Sequence, residues 1–242
     1  RNGFTVGNAT TFTYQPTFEG SYFAEVTRNG VTVRSDSAVV EFQQDGSAIR
    51  SGFGFSSPLG QNPVNVIKTG PQGNGYIGSQ SASNGKALWK VSPDNTTDPA
   101  WSPTIFGEVR DLVVEPDGSA VIVGDLDIRD DSSIVTQIAR YQSDGNRDLT
   151  FQTTIGTGAN TKINHIARYE NGDLLVGGDF SEWNGTPLSP NSSLIKLDAT
   201  GNRITTFNPD RFGNPVSIVP LPDGGALAIY TSSIYRFDAS GN

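Results

Sequence analysis

The sequence predicts an all-β chain built from repeated, four-stranded antiparallel sheets. Two observations support this fold class. Short apolar segments alternate with glycine-containing turns, and the 242 residues include 28 Gly and 14 Pro, which suits many short strands joined by tight turns. The repeated segments also lack the periodicity of a long amphipathic helix.

Composition and charge exclude several classes of function. The chain carries 17 Lys and Arg against 25 Asp and Glu, a net charge of -8. Such a chain repels phosphate backbones and anionic lipid, so we expect no nucleic-acid partner and no membrane-surface role. No apolar run approaches the roughly 18 residues that a spanning helix needs, so we expect no membrane insertion in this segment. With no cysteine and a single histidine, it offers no disulfide, no thiolate nucleophile and no His-rich metal site. The absence of methionine, position 1 included, predicts a piece of a longer chain.

Residues 1–45 differ in pattern from the rest of the chain. The segment 19–30 is similar to strand F of an immunoglobulin-like domain and the turn that follows it, with Tyr22 as the tyrosine corner and Ala24 where a cysteine usually stands. This resemblance implies that 1–45 forms the C-terminal strands of such a domain. Residues 39–47 also align without a gap to 138–146, so a blade strand is the alternative there. We predict that 46–62 is a linker or an outer blade strand.

Residues 63–242 contain a repeat of about 50 residues. Each unit reads as an apolar strand, a Gly turn, a second apolar strand ending in Gly, a loop, a third strand, a second Gly turn and an aromatic residue. Asp-Gly and Asn-Gly supply the positive φ angles that tight turns need. A repeat of this length without helical periodicity predicts blades of a β-propeller, each with four antiparallel strands. Because three to four such units are present, we expect an incomplete propeller.

Three short motifs link these units to a known family. They are 177–180 (Gly-Gly-Asp-Phe), 184–185 (Asn-Gly) and 204–209 (Ile-Thr-Thr-Phe-Asn-Pro). The units resemble the bacterial delta-60 repeats, which occur in large secreted or surface-attached proteins. The resemblance implies a secreted or cell-surface location and further domains of the same longer chain, but no particular activity.

The repeat pattern also predicts the core. We expect eight side chains to be buried within or between blades: Val113, Val121, Val123, Phe151, Leu175, Val176, Ile195 and Phe207.

The inserts after the second strands carry the acidic and aromatic candidates. Asp125, Asp127, Asp130 and Asp131 form the densest carboxylate cluster, and alternate aspartates in a loop can gather oxygen ligands for Ca²⁺. The cluster has no glycine for a sharp turn and no bidentate Glu, so a solvated loop without any cofactor is the favoured interpretation. In the second insert, Trp183 is the candidate aromatic anchor.

Recurring aspartates are candidates for a catalytic carboxylate pair. They are Asp117, Asp144, Asp173, Asp179 and Asp223. A catalytic pair is unique in a chain, whereas these residues recur at equivalent turns, so we predict that they stabilise turns.

The first strands carry a second polar set. Alignment of the units brings together Arg110, Asp111, Asn164, His165 and Ser217. First strands of propellers line the central channel, so these side chains are candidates for a polar ligand site. A hydrogen-bonded packing histidine is the alternative, which the sequence favours because no Ser or Cys nucleophile motif accompanies His165.

The leading functional hypothesis is a non-catalytic, extracellular or cell-surface binding or adhesion module. It would recognise a surface glycan or protein ligand through the loops 125–133 and 179–193, with Trp183 as anchor beside Asp179 and Asn184. One alternative is a propeller-based hydrolase or carbohydrate-active enzyme fragment, for which the sequence offers only Arg110, Asp111 and His165 as a unique polar constellation. Another is a purely structural component of a surface layer or fibre.

Overall fold

The computed structural model consists of two compact units, Arg1–Gly54 and Phe55–Asn242. It is described here for residues 20–22, 25–28, 31–34, 38–40, 63–81, 85–93, 96–99, 101, 103–130, 133–135, 137–151, 161–188, 193–211 and 213–242.

In the first unit, the described strands form two antiparallel pairs. β1 (Gly20–Tyr22) pairs with β4 (Ala38–Val40), and β2 (Glu25–Arg28) pairs with β3 (Val31–Arg34). All the described residues of this unit therefore lie in β-strands. They do not establish an immunoglobulin-like sandwich, which stays a prediction.

Among its described residues, the second unit contains four successive antiparallel sheets of three or four strands, which we call blades 1 to 4, and one separate small hairpin. Blade 1 comprises β5 (Val64–Thr69), β6 (Gly75–Ser79) and β7 (Leu88–Val91), with a 3₁₀ turn at Pro71–Gly73. Blade 2 comprises β8 (Phe106–Val114), β9 (Ala120–Asp130), β10 (Ser133–Val135) and β11 (Ile138–Tyr141). Blade 3 comprises β12 (Ile163–Arg168), β13 (Leu174–Gly178) and β16 (Leu194–Leu197), with the small hairpin β14 (Glu182–Trp183) and β15 (Thr186–Pro187). Blade 4 comprises β17 (Ser217–Pro220), β18 (Ala226–Tyr230) and β19 (Ser233–Phe237).

Among the described residues, three strands span each blade, where the sequence predicts four. The predicted fourth strand is reduced to one bridge: Val91 with Thr97, Tyr141 with Arg147, and Leu197 with Arg203. Soon after each bridge an aromatic residue is buried, namely Trp101, Phe151 or Phe207. The chain thus leaves the sheet edge early and buries a large aromatic side chain. This burial contributes roughly 1.5–3 kcal/mol to the stability of the fold. The extra strand β10 pairs only with the far end of β9.

A five-residue turn recurs between the strands. At 115–119 the Glu115 N–H donates to the Ser119 carbonyl over 2.8 Å, and the Gly118 N–H donates back to the Glu115 carbonyl over 2.9 Å. Gly118 has φ 85°, a left-handed conformation that glycine adopts without strain. The Asp117 carboxylate accepts the Ser119 N–H at 2.9 Å. Similar backbone bonds close 142–146, 169–173, 198–202, 221–225 and 238–242.

Most of the recurring aspartates stabilise turns, as predicted. Asp144 accepts the N–H of Asn146, as Asp223 accepts that of Gly225, in the arrangement seen for Asp117. The Asp173 carboxylate accepts the Asn171 side-chain amide within its turn at 2.9 Å, and it also lies 3.2 Å from Lys196 in an ion pair. Recurrence at these positions therefore reflects local hydrogen bonding.

The core lies between successive blades. The eight side chains predicted to be buried are all at most 9% exposed. One cluster joins the side of blade 2 carrying Val121 to the side of blade 3 carrying Val176. Equivalent clusters join blades 1 and 2 and blades 3 and 4. The back faces of blades 1, 2 and 3 therefore pack on the front faces of blades 2, 3 and 4.

Tyrosine hydroxyls add polar contacts between blades. Tyr76 donates to the Gly118 carbonyl at 2.9 Å, and Tyr169 donates to the Gly225 carbonyl at 3.0 Å. Both bonds are buried, where an unpaired hydroxyl would be costly. Tyr76 thereby holds the first turn of blade 2, and Tyr169 holds the first turn of blade 4.

Residues 125–130 belong to a strand, which corrects the prediction of a loop from 125 to 133. β9 runs to Asp130 and pairs with both β8 and β10. Side chains alternate between the faces of a strand, so Leu126 and Ile128 are buried while Asp125 is exposed. The Asp-Leu-Asp-Ile run is thus the alternating pattern of a half-buried strand.

Within the described residues, the structure contains no helix long and apolar enough to cross a membrane.

Candidate functional site

The first strands of blades 1 to 3, which are β5, β8 and β12 and which we call the inner strands, each contain a β-bulge. The register shifts between Val64 and Val66 in β5, between Val109 and Asp111 in β8, and between Ile163 and His165 in β12. The extra residues at these shifts are Asn65, Arg110 and Asn164. A bulge re-aims the side chain of its extra residue, so the repeat presents one polar side chain from each of these strands.

Glycines opposite the bulges make room for them. A Cβ at Gly124 would lie 1.9 Å from the Glu108 carbonyl oxygen, and one at Gly178 would lie 2.4 Å from the Lys162 carbonyl oxygen. Backbone atoms cannot move aside as side chains can, so these positions require glycine. This close approach explains why the second strand of the repeat carries glycine where it faces the bulge.

The bulge residues line a recess of about 380 Å³, which we call the inner-strand recess. Blade 1 contributes Asn65, blade 2 contributes Glu108 and Arg110, and blade 3 contributes Asn164 and His165. The chain leading into blade 4 completes the lining with Asn214, Pro215 and Val216. Its volume lies at the lower end of the range for small-molecule sites, about 300–1,000 Å³.

A continuous chain of hydrogen bonds orders the polar lining. The Asn65 side-chain amide donates to the Val109 carbonyl at 2.9 Å and to Glu108 Oε1 at 3.2 Å. Glu108 Oε2 lies 2.8 Å from Arg110 Nη2 in an ion pair. Arg110 Nη1 in turn donates to Asn164 Oδ1 at 2.9 Å. The lining is therefore held in one arrangement across three blades.

Asp111 fixes the backbone next to His165. Its carboxylate accepts the Ile166 N–H of blade 3 at 3.0 Å and the Leu112 N–H of blade 2 at 2.9 Å. It also lies 3.6 Å from the Lys68 ammonium group of blade 1. One largely buried carboxylate thus connects three inner strands behind the recess.

His165 is the single histidine of the chain and is half-buried at the recess. Burial lowers the pKa of His165 from its ordinary value of 6.5, and the nearby Asp111 carboxylate partly opposes this effect. The imidazole is therefore uncharged at neutral pH. In that form it can accept a proton from a bound molecule.

The structure brings together most of the polar residues expected on the first strands. Arg110, Asn164 and His165 line the recess, whereas Asp111 lies behind it and Ser217 is not part of the lining. Sequence reasoning missed Asn65, Glu108 and Asn214. The sequence does contain a signal for Asn65, because the segment 64–67 (Val-Asn-Val-Ile) aligns with 163–166 (Ile-Asn-His-Ile) and places Asn65 at the position of Asn164.

Trp183 is buried, which corrects its expected role as an exposed aromatic anchor. Its side chain is 2% exposed, and its ring lies 6.1 Å from that of Phe180. The following turn residues, Asn184 and Gly185, have φ 51° and 71°, as in a tight hairpin that folds the indole inward. Asp179 and Asn184 remain exposed beside it. The indole therefore presents no open face to a ligand.

The acidic cluster shows no built metal site in the described part of the chain. Asp125 is exposed and lies 3.1 Å from Lys162 in an ion pair. Asp131 lies outside the described residues. Among the residues that the structure describes, no three His, Asp or Glu side chains are grouped as metal ligands. A Ca²⁺ ion bound by Asp125, Asp127, Asp130 and Asp131 remains a prediction.

Comparison with known proteins gives similarity in structure only. No family model matches the chain, and no curated protein matches it. It is similar to a streptogramin B lyase, with 15% identity and a TM-score of 0.45, over 74% of this chain and 52% of that one. It is also similar to a catalytically inactive virginiamycin B lyase from Staphylococcus aureus with quinupristin, with 14% identity and a TM-score of 0.37, over 74% and 58% of the two chains. A protein of unknown function from Bacteroides caccae has 14% identity and a TM-score of 0.31, over 57% and 46%.

The chain spans about half the length of the solved structures it matches. Two of them are lyases, which are enzymes. The prediction of a non-catalytic adhesion module, which these neighbours do not support, is not retained, and neither is the expectation that the chain has no enzymatic activity. Nothing in the fold or in these similarities confirms delta-60 repeats or an immunoglobulin-like domain, and both stay predictions.

Proposed function

We propose that this chain is a propeller-based hydrolase with its active site in the inner-strand recess and His165 as the general base. The observation that carries the proposal is a single uncharged imidazole in a recess where hydrogen bonds and an ion pair hold Asn65, Glu108, Arg110 and Asn164. A general base must be unprotonated at working pH and must stand where a substrate can reach it. His165 meets both requirements.

The neighbouring residues suit the other tasks of hydrolysis. His165 would take a proton from the attacking water and return it to the leaving group, which balances the protons over the reaction. Negative charge that develops on the substrate would be stabilised by the Arg110 guanidinium group, which the Glu108 ion pair and Asn164 hold in place. Asp111 would act through the backbone next to His165 and is therefore a positioning residue.

A substrate screen tests this proposal. We would measure turnover of p-nitrophenyl esters and glycosides by the wild-type chain and by His165→Ala. The matched control is Gln142→Ala, because the exposed Gln142 is absent from the recess lining. We expect a loss of about 10²- to 10⁴-fold for His165→Ala and none for the control. The pH profile should fall on the acid side with an inflection below 6.5.

Two results would contradict the proposal. The first is turnover that persists in His165→Ala, because the activity would then belong to another site. The second is the absence of turnover of every ester and glycoside by the wild-type chain.

A further inference from the structure

The described residues that line the inner-strand recess carry no uncompensated charge, although the chain as a whole is acidic. Glu108 and Arg110 neutralise each other at 2.8 Å. The Asp111 carboxylate behind the recess faces the Lys68 ammonium group at 3.6 Å, and His165 is uncharged at neutral pH. An ionic ligand would therefore have to break an existing ion pair to find a partner. The recess favours a neutral ligand.

The recess offers a ligand both a hydrogen-bond acceptor and hydrogen-bond donors. The Asn65 amide group donates both to Glu108 and to the Val109 carbonyl, so the side chain presents its oxygen as an acceptor. The Asn164 oxygen accepts from Arg110, so that side chain presents its N–H donors. A donor and an acceptor thus stand on blades 1 and 3, with the Glu108–Arg110 pair of blade 2 between them. Hydroxyl groups both donate and accept, so a ligand that carries several of them can satisfy both sites.

One side of the recess is aliphatic. In blade 4 the position equivalent to the polar bulge residues is held by Val216, whose side chain is 51% exposed. Pro215 lies beside it, close enough to Gly177 that a Cβ there would lie 2.7 Å from the proline ring. The lining from blade 4 therefore adds a small apolar surface, formed by Pro215 and Val216 next to Asn214, to the polar lining from blades 1 to 3.

We infer that the inner-strand recess takes a neutral carbohydrate, with the ring hydroxyls on Asn65 and Asn164 and a C–H face of the ring against Val216. A sugar ring combines these two surfaces, a hydroxyl-rich edge and an apolar face. The volume of about 380 Å³ suits one or two rings. This inference rests on the proposed function in taking the recess as the substrate site, and it names the class of substrate.

Calorimetric titration of the wild-type chain tests the inference directly. The probes are the neutral disaccharides maltose, cellobiose, lactose and xylobiose, compared with an acidic digalacturonate and with an uncharged blocked dipeptide. We expect at least one neutral disaccharide to bind at least about tenfold more tightly than the acidic sugar and the dipeptide. Val216→Asp, at an exposed position, should weaken that binding at least about tenfold, while Gln142→Ala should leave it unchanged.

The outcomes separate this inference from the proposed function. Tighter binding of the acidic sugar or of the dipeptide overturns it, as does failure of all four neutral sugars to bind at 10 mM, a limit set at about the weakest affinity worth assigning to a site. Binding that survives Val216→Asp also overturns it, because the sugar would lie elsewhere. Sugar binding without any turnover supports the ligand class and contradicts the hydrolase, whereas ester turnover without sugar binding does the reverse.

Discussion

His165 owes its position and its charge state to residues of other blades. The carboxylate of Asp111 in blade 2 accepts the backbone N–H that follows His165 in blade 3. The other charged groups near the recess, Glu108, Arg110 and Lys68, are engaged in ion pairs. The imidazole therefore experiences two main influences, burial, which disfavours its charged form, and the Asp111 carboxylate, which favours it.

Asp111→Asn should lower the pKa of His165 further. The substitution removes the negative charge that favours the imidazolium form and leaves the effect of burial unopposed. The folded state would then bind fewer protons than the unfolded state over a wider range below pH 6.5, so stability should decline more steeply on acidification through that range. NMR titration of the ring protons measures the pKa, and the exposed Asp210→Asn is the matched control. An unchanged or raised pKa in Asp111→Asn would contradict this account.

At the scale of the strand, the bulge in β8 and the glycine that faces it in β9 depend on each other. The bulge turns Arg110 toward the recess, and Gly124 leaves the space that the displaced backbone needs. Gly124→Ala should therefore destabilise the fold by about 3 kcal/mol, because the new methyl group would meet a backbone carbonyl. Gly75→Ala is the matched control, since a Cβ in that strand meets nothing nearer than 4.0 Å.

Urea unfolding of the two variants measures this difference. We expect Gly75→Ala to be neutral or slightly stabilising, since alanine restricts the unfolded chain more than glycine does. Equal stability of Gly124→Ala and wild type would mean that β8 carries no bulge at this point in solution.

The sequence predicted the repeat, the turn glycines and the buried strands because each rests on a local pattern. It could not predict the bulges, since a bulge depends on which residues pair across two strands. For the same reason Arg110, Asn164 and His165 could be aligned with one another, while Glu108 and Asn214, outside the aligned column, could not be assigned to the site. The strand at 125–130 was predicted as a loop because its aspartates resemble metal ligands. Their alternation with Leu126 and Ile128 is the pattern that indicates a strand.

For the molecule as a whole, blade 4 shows what packing between blades contributes. On the back faces of blades 1, 2 and 3, Leu88, Ile138 and Leu194 are at most 2% exposed, because the next blade covers them. The equivalent residue of blade 4, Ile234, is 69% exposed, and Val219 on the same face is 47% exposed. The same repeat position is therefore core in one blade and surface in another, and neighbouring packing alone decides which.

This contrast predicts that an aspartate substitution destabilises the fold strongly at one of two equivalent positions and hardly at all at the other. Leu194→Asp would bury an unpaired charge between blades 3 and 4 and should destabilise the fold by about 3 kcal/mol or more. Ile234→Asp should change the free energy of unfolding by no more than about 0.5 kcal/mol, because its side chain already lies in water. Urea unfolding at several protein concentrations measures both. A large loss of stability in Ile234→Asp would show that the back face of blade 4 is covered in solution, and a dependence of that loss on concentration would identify the cover as a second copy of the chain.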